Sequence, residues 1–222
     1  MITEQTTPNA QQQQHVIAMG PYRVSEDPPH YLSAVDFNDV PEMVRVLNIN
    51  KDVHNGTATF HYPYLESHAQ ARIARAMSNR TDKGYNSHWA MRISPDGPIM
   101  GWIHAYFNPT VQEFHPVTGR PLVIADMGYW VSPEYVGKGY ASRSTRFVVH
   151  EILFKEFECD IVRSEAYPHN VGSRKAMQAA GMEQEYESKT VFIPKFQENR
   201  IVCGYAVHRD ESTKIVVSNP DS

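Results

Sequence analysis

Residues 122–157, LVIADMGYWVSPEYVGKGYASRSTRFVVHEILFKEF, constrain this chain more than any other stretch. An apolar run from Leu122 to Val131 stops at Ser132-Pro133. A glycine-bearing turn follows, Val136-Gly137-Lys138-Gly139-Tyr140-Ala141, and then an apolar-periodic segment to about Phe157. The pattern reads as strand, tight turn and helix. Glycine lets backbone N–H groups come close to a ligand. The helix start adds unpaired N–H groups and a positive dipole end, and together these seat a phosphate. Thr145, Val148, Val149, Ile152 and Leu153 recur on one stripe of the helix, its buried face. Lys138, Arg143 and Arg146 lie on or near its first two turns. They form either a solvated basic face or a set of charges that neutralises phosphates, and the second reading is favoured.

Two familiar phosphate loops do not fit. A Walker loop needs Lys and then Ser or Thr after its last glycine, whereas Gly139 is followed by Tyr140 and Ala141. Gly137 to Ser142 spells G-x-G-x-x-S, an imperfect dinucleotide fingerprint with Ser142 where Gly or Ala belongs. A nicotinamide enzyme is therefore a remote alternative.

A second stretch, IVRSEAYPHNVGSRKAMQAAGM at 161–182, reads as a strand to Pro168, then a helix capped by Asn170 and ended at Gly181. The two stretches together resemble the GNAT (GCN5-related N-acetyltransferase) superfamily, and within it the RimJ/RimL-type branch. The resemblance is carried by Gly128-Tyr129-Trp130-Val131-Ser132-Pro133-Glu134-Tyr135, by Gly137-Lys138-Gly139-Tyr140-Ala141, by Asn170-x-x-Ser173, and by Ala180-Gly181-Met182. It spans roughly residues 30–210. It implies an α+β fold, with a central twisted, mostly antiparallel sheet of about seven strands flanked by about four helices.

The same resemblance implies chemistry: direct transfer of an acetyl group from acetyl-CoA to a primary amine, in a ternary complex. Main-chain amides of the turn from Gly137 to Ser142 are then the pyrophosphate seat, with Lys138 and Arg143 beside it. Main-chain groups of Tyr129, Trp130 and Val131 would run along the pantetheine arm. Asn170 is expected beside that arm and the Ser173 hydroxyl near the sulfur. Val136 departs from the superfamily pattern, which carries Gln or Arg there, so only a side-chain contact is lost. Many members also place a tyrosine acid seven residues after the Asn, where this chain has Met177, which has no proton to give. Asp126, at the place of a common glutamate, is the candidate base, and His104 on the preceding strand is the other. No covalent enzyme intermediate and no metal are expected.

Elsewhere the reading is coarser. Residues 1–29 read as a polar tail and a proline-bearing linker, 30–210 as the catalytic domain, and 211–222 as a second tail. Residues 49–66 read as an excursion loop with the aromatic cluster Phe60, His61, Tyr62 and Tyr64. This is either a loop packed down by its rings or the border of the acceptor pocket. The acceptor is a peptide or protein N-terminus, or a small amine; a non-catalytic acyl-CoA sensor on the same fold is the alternative function. With 21 basic against 25 acidic residues the chain does not read as a binder of nucleic acid or anionic membranes. Two cysteines make no disulfide scaffold and suit a reducing, cytoplasmic setting. The oligomeric state, monomer or homodimer, is left open.

Overall fold

The computed structural model describes residues 17–107 and 112–214. Residues 108–111, residues 1–16 of the first tail and residues 215–222 of the second lie outside the described residues. The elements run β1 (Tyr22–Ser25), β2 (His30–Ala34), α1 (Val40–Leu47), α2 (Asp52–Gly56), α3 (Glu66–Lys83), β3 (His88–Arg92), β4 (Gly101–Phe107) and β5 (Ile124–Val131). After these come α4 (Tyr140–Phe147, continued by a wider turn over Val148–Leu153), β6 (Ile161–Ala166), α5 (Val171–Ala179), β7 (Glu183–Ile193) and β8 (Glu198–His208).

The strands form one sheet in the order β1-β2-β3-β4-β5-β6-β8-β7. Every neighbouring pair is antiparallel except β5 and β6. The expected mixed sheet is present, with one strand and one short helix more than expected. The added strand, β1, falls in the stretch read as a linker before His30. Prolines 21, 28 and 29 bound this strand rather than replace it. The Tyr22 ring packs 5.5 Å from Phe147 and its hydroxyl donates to Glu156. The added helix, α2, lies inside the stretch read as an irregular loop.

Alternation along the strands divides the core. Trp89, Met91, Met127 and Cys203 face α4 and α5, with Val148, Val149, Ile152 and Leu153 of α4 all fully buried against them. Ala90, Trp102 and Trp130 face the other way, onto α1 and α3. Phe60 and Tyr64, at 4% and 2% exposure, belong to this second layer. They are therefore wall rather than open surface, because the loop folds its own rings inward. His61 and Tyr62 are exposed. Both cysteines are buried and unpaired. Among the described residues no helix is long and apolar enough to cross a membrane.

Candidate active site

β5 and β6 start side by side and then part. Their pairing covers three positions, Ile124 with Ile161, Ala125 with Val162 and Asp126 with Arg163. Ser164 Oγ donates to Met127 O at 2.9 Å and closes the crotch of the wedge. Beyond it Gly128 to Val131 pair with β4 on one side, and among the described residues no strand lies beside them on the other. Backbone groups along that edge are free to bond an inserted extended chain.

The glycine turn lies past the end of this edge. Gly137 and Gly139 have φ of 76° and 77°, the left-handed region that glycine enters without steric cost. Gly139 caps α4 with no side-chain hydrogen bond and no acidic residue in the first turn. The amides of Tyr140, Ala141 and Ser142 have no intrahelical acceptor. Lys138 Nζ donates to Glu134 O at 2.9 Å and Arg143 Nη2 to Lys138 O at 3.0 Å, which holds both cations over the turn. Among the described residues neither they nor Arg146 pair with a carboxylate. A basic, uncapped helix start of this kind fits a diphosphate. Val136 is 59% exposed and holds nothing.

Across the wedge, Asn170 caps α5. Its Oδ1 accepts from Ser173 N at 3.1 Å, and its Nδ2 donates to Gly56 O of α2 at 3.4 Å. Tyr129 Oη lies 2.8 Å from Ser173 O and 2.9 Å from Ser173 Oγ, with one phenolic proton for the two acceptors. The structure thus brings Tyr129, Asn170 and Ser173 together. Met177 is fully buried in the core and points no hydrogen-bonding group at them.

Asp126 stands on the opposite face of β5. It opens into a cleft of about 720 Å³ whose walls include Glu113, Arg163, Glu165, Glu185 and Lys189. Arg163 is held by Glu113 and Glu185, and Glu165 by Tyr186 and Lys189. Asp126 makes no hydrogen bond among the described residues. Partial desolvation raises its pKa; the Arg163 charge pulls the other way, and Glu165 adds to the rise. The side chain keeps solvent contact, so the shift is upward but bounded by screening.

His104 stacks on His88 with ring centroids 5.7 Å apart, and its ring fills the place that a β-carbon on Gly128 would take, 2.7 Å away. That accounts for the glycine inside β5. Crowding by protein atoms, with Arg72 nearby, pushes the His104 pKa down to about 3. A neutral imidazole of that basicity is a weak proton acceptor at neutral pH, so Asp126 is the better candidate of the two.

One bridge was not legible in the sequence. Lys195, at the tip of the β7–β8 hairpin, donates to His54 O and, at 2.9 Å, to Phe60 O. It ties the hairpin to the aromatic loop. A lone lysine in a polar connection gives no signal of a partner 135 residues away.

Comparisons with known proteins agree with this frame. A family model described as an acetyltransferase (GNAT) domain matches residues 31–183. A probable N-acetyltransferase of Bacillus subtilis (strain 168), YjcK, is 22% identical over 156 residues, covering 70% of this chain and 81% of its own length. A GNAT-family acetyltransferase from Bacillus anthracis superposes with a TM-score of 0.63 at 18% identity, over 86% of this chain and 97% of that one. Mycobacterium smegmatis RimJ, in complex with CoA-disulfide, superposes with a TM-score of 0.60 at 14% identity, over 82% of each chain. At these identities the solved structures speak for the fold. The family model spans the wedge, the glycine turn and Asn170-x-x-Ser173 alike, and on that match the chain belongs to the GNAT acetyltransferase family.

Proposed function

We propose that this protein is an acetyl-CoA-dependent N-acetyltransferase that passes the acetyl group directly to a primary amine. The acceptor is the α-amine of a peptide or protein, or a small amine. The observation that carries the reading is the continuity of the uncapped, basic start of α4 with the unpaired edge of β5. A diphosphate seated on the first fixes where an extended arm meets the second. The pyrophosphate lies on the amides from Gly137 to Ser142, with Lys138 and Arg143 beside it. The pantetheine arm runs along Tyr129 to Val131.

Transfer needs an unprotonated amine, a place for the oxyanion and a way for the thiolate to leave. Asp126 takes the proton of the incoming ammonium, aided by its raised pKa. The nitrogen attacks the thioester carbonyl, whose oxygen accepts from the β5 edge. The C–S bond breaks with its electron pair on sulfur, beside the Ser173 hydroxyl, and the nitrogen loses its remaining surplus proton to water. His61 and Tyr62, the exposed part of the aromatic loop, border the acceptor.

The buried Met177 favours a second reading, a non-catalytic acyl-CoA sensor. Acetyl-CoA is incubated with a panel of free-amine peptides and small amines, and both thiol release and mass gain on the acceptor are measured. Release that depends on the acceptor and is lost in Asp126→Ala supports the enzyme. A thermal shift with acetyl-CoA but no release with any acceptor supports the sensor. Absence of both overturns the phosphate seat itself.

A further inference from the structure

The proposed reaction draws on the main chain at Tyr129 but leaves its side chain without a role. The side chain projects from β5 to the face opposite Asp126, into the space between α4 and α5. Its hydroxyl reaches both the carbonyl and the hydroxyl of Ser173, at 2.8 and 2.9 Å. α5 does not need this contact for its own start, because Asn170 already caps the Ser173 amide. On the other side stands Thr145 of α4, fully buried, with a hydroxyl that finds no hydrogen-bond partner among the described residues. Thr145 acts to ease the ionisation of Tyr129, against the larger and opposite effect of burial.

A phenol has one proton to donate and a lone pair with which to accept. If the proton goes to the Ser173 carbonyl, the serine hydroxyl turns back onto the phenol and points away from the wedge. If it goes to Ser173 Oγ, the serine hydrogen is free to point elsewhere, and each bond in the chain polarises the next. Thr145 can fill the lone pair of the phenol in that second arrangement.

We propose that Tyr129 is a positioning residue for the leaving group: it donates to Ser173 Oγ and thereby turns the serine hydroxyl onto the departing sulfur. This inference rests on the acetyltransferase reading above. No proton need change owner. The C–S bond breaks, the electron pair stays on sulfur, Ser173 Oγ–H donates a charge-assisted hydrogen bond to the thiolate, and the thiol is later completed from solvent. Burial supports this division of labour, since it pushes the Tyr129 pKa up to about 12 and keeps the phenol protonated.

The test needs no knowledge of the acceptor. CoA bound to the full-length protein is titrated by the ultraviolet absorbance of its thiolate, in wild type, Tyr129→Phe, Ser173→Ala and the double variant. In wild type the bound thiol should titrate roughly one pH unit below free CoA, a tenfold shift in its ionisation. Each single variant should lose that shift, and the double variant should lose no more than either one. Turnover with an acceptor found in the screen should fall about tenfold in Tyr129→Phe with KM for acetyl-CoA unchanged. A bound thiol that titrates alike in wild type and Tyr129→Phe overturns the inference. So does a Tyr129→Phe protein that no longer folds or binds CoA, which would make the tyrosine scaffolding. Failure of wild type itself to bind CoA would instead strike the acetyltransferase reading.

Discussion

Gly137 and Gly139 share a left-handed φ but not a neighbourhood. A β-carbon in that region costs roughly 1–2 kcal/mol at either place. At Gly137 it would meet open space, whereas at Gly139 it would stand 2.8 Å from Arg143 Nη1. Gly137→Ala should therefore fold with a loss of about 1 kcal/mol in chemical denaturation. Gly139→Val adds branched bulk on the ligand side of the turn and displaces Arg143. It should abolish the thermal shift given by acetyl-CoA while leaving a cooperative unfolding transition. Asp126 gives a prediction in pH. Its carboxylate must be ionised to accept a proton, and its pKa is raised, so activity should climb with pH through a limb above the ordinary carboxylate value. Asp126→Asn should lower kcat roughly 100-fold and remove that limb from the pH–rate profile.

Two buried aspartates hold elements together on either side of the wedge. Asp39, just before α1, meets Arg92 of β3 in a bidentate pair at 2.7 and 2.8 Å, and Arg92 also bonds Ser33 and Gly97 O. Both side chains are less than a tenth exposed. Asp39→Ala would leave a guanidinium buried without its counterion, and should cost about 3–5 kcal/mol in the free energy of unfolding. Asp160, ahead of β6, accepts from Arg120, Arg209 and the Val123 amide. These bonds fix the parallel pairing of β5 with β6 at its root, so that the two strands open from a set point. The hydrogen bond from Arg120 leads the effects that depress its pKa, to about 2. A depressed carboxylate pKa stabilises the fold above the unfolded value near ~4, and that stability is lost as pH falls towards 2. Asp160→Asn should cost roughly 2 kcal/mol at neutral pH and flatten the acid limb of the stability curve between about pH 4 and 2.

At the scale of the molecule, two struts from distant elements hold the aromatic loop. Asn170 Nδ2 reaches Gly56 O from α5, and Lys195 reaches His54 O and Phe60 O from the far hairpin. His54 also packs 5.0 Å from Phe196 of the hairpin. The loop is thus tied to elements that follow it by more than a hundred residues. Lys195→Met keeps the aliphatic length and removes the donor. It should raise KM for the acceptor severalfold while leaving KM for acetyl-CoA unchanged, measured by varying each substrate in turn. The same span shows why β1 escaped the sequence reading. Four residues between prolines carry no period of their own, and their strand exists because β2 offers an edge and Phe147 a surface for Tyr22.

Local chemistry wrote the strand–turn–helix core into the sequence. Left-handed glycines, an uncapped helix start and a 3.6-residue apolar stripe need only a few consecutive residues to be recognised, and so did the Asn170 cap. Burial and register belong to the tertiary structure. The amino acids at 104 and 126 do not say that one ring will be walled in against Gly128 while the other carboxylate opens into a cleft, because desolvation is set by atoms from strands far apart in the chain. Nor could Tyr129 be seen to reach Ser173: that contact exists only because β5 and α5 are packed across a wedge, and hydrogen bonds between distant elements have no spacing to read.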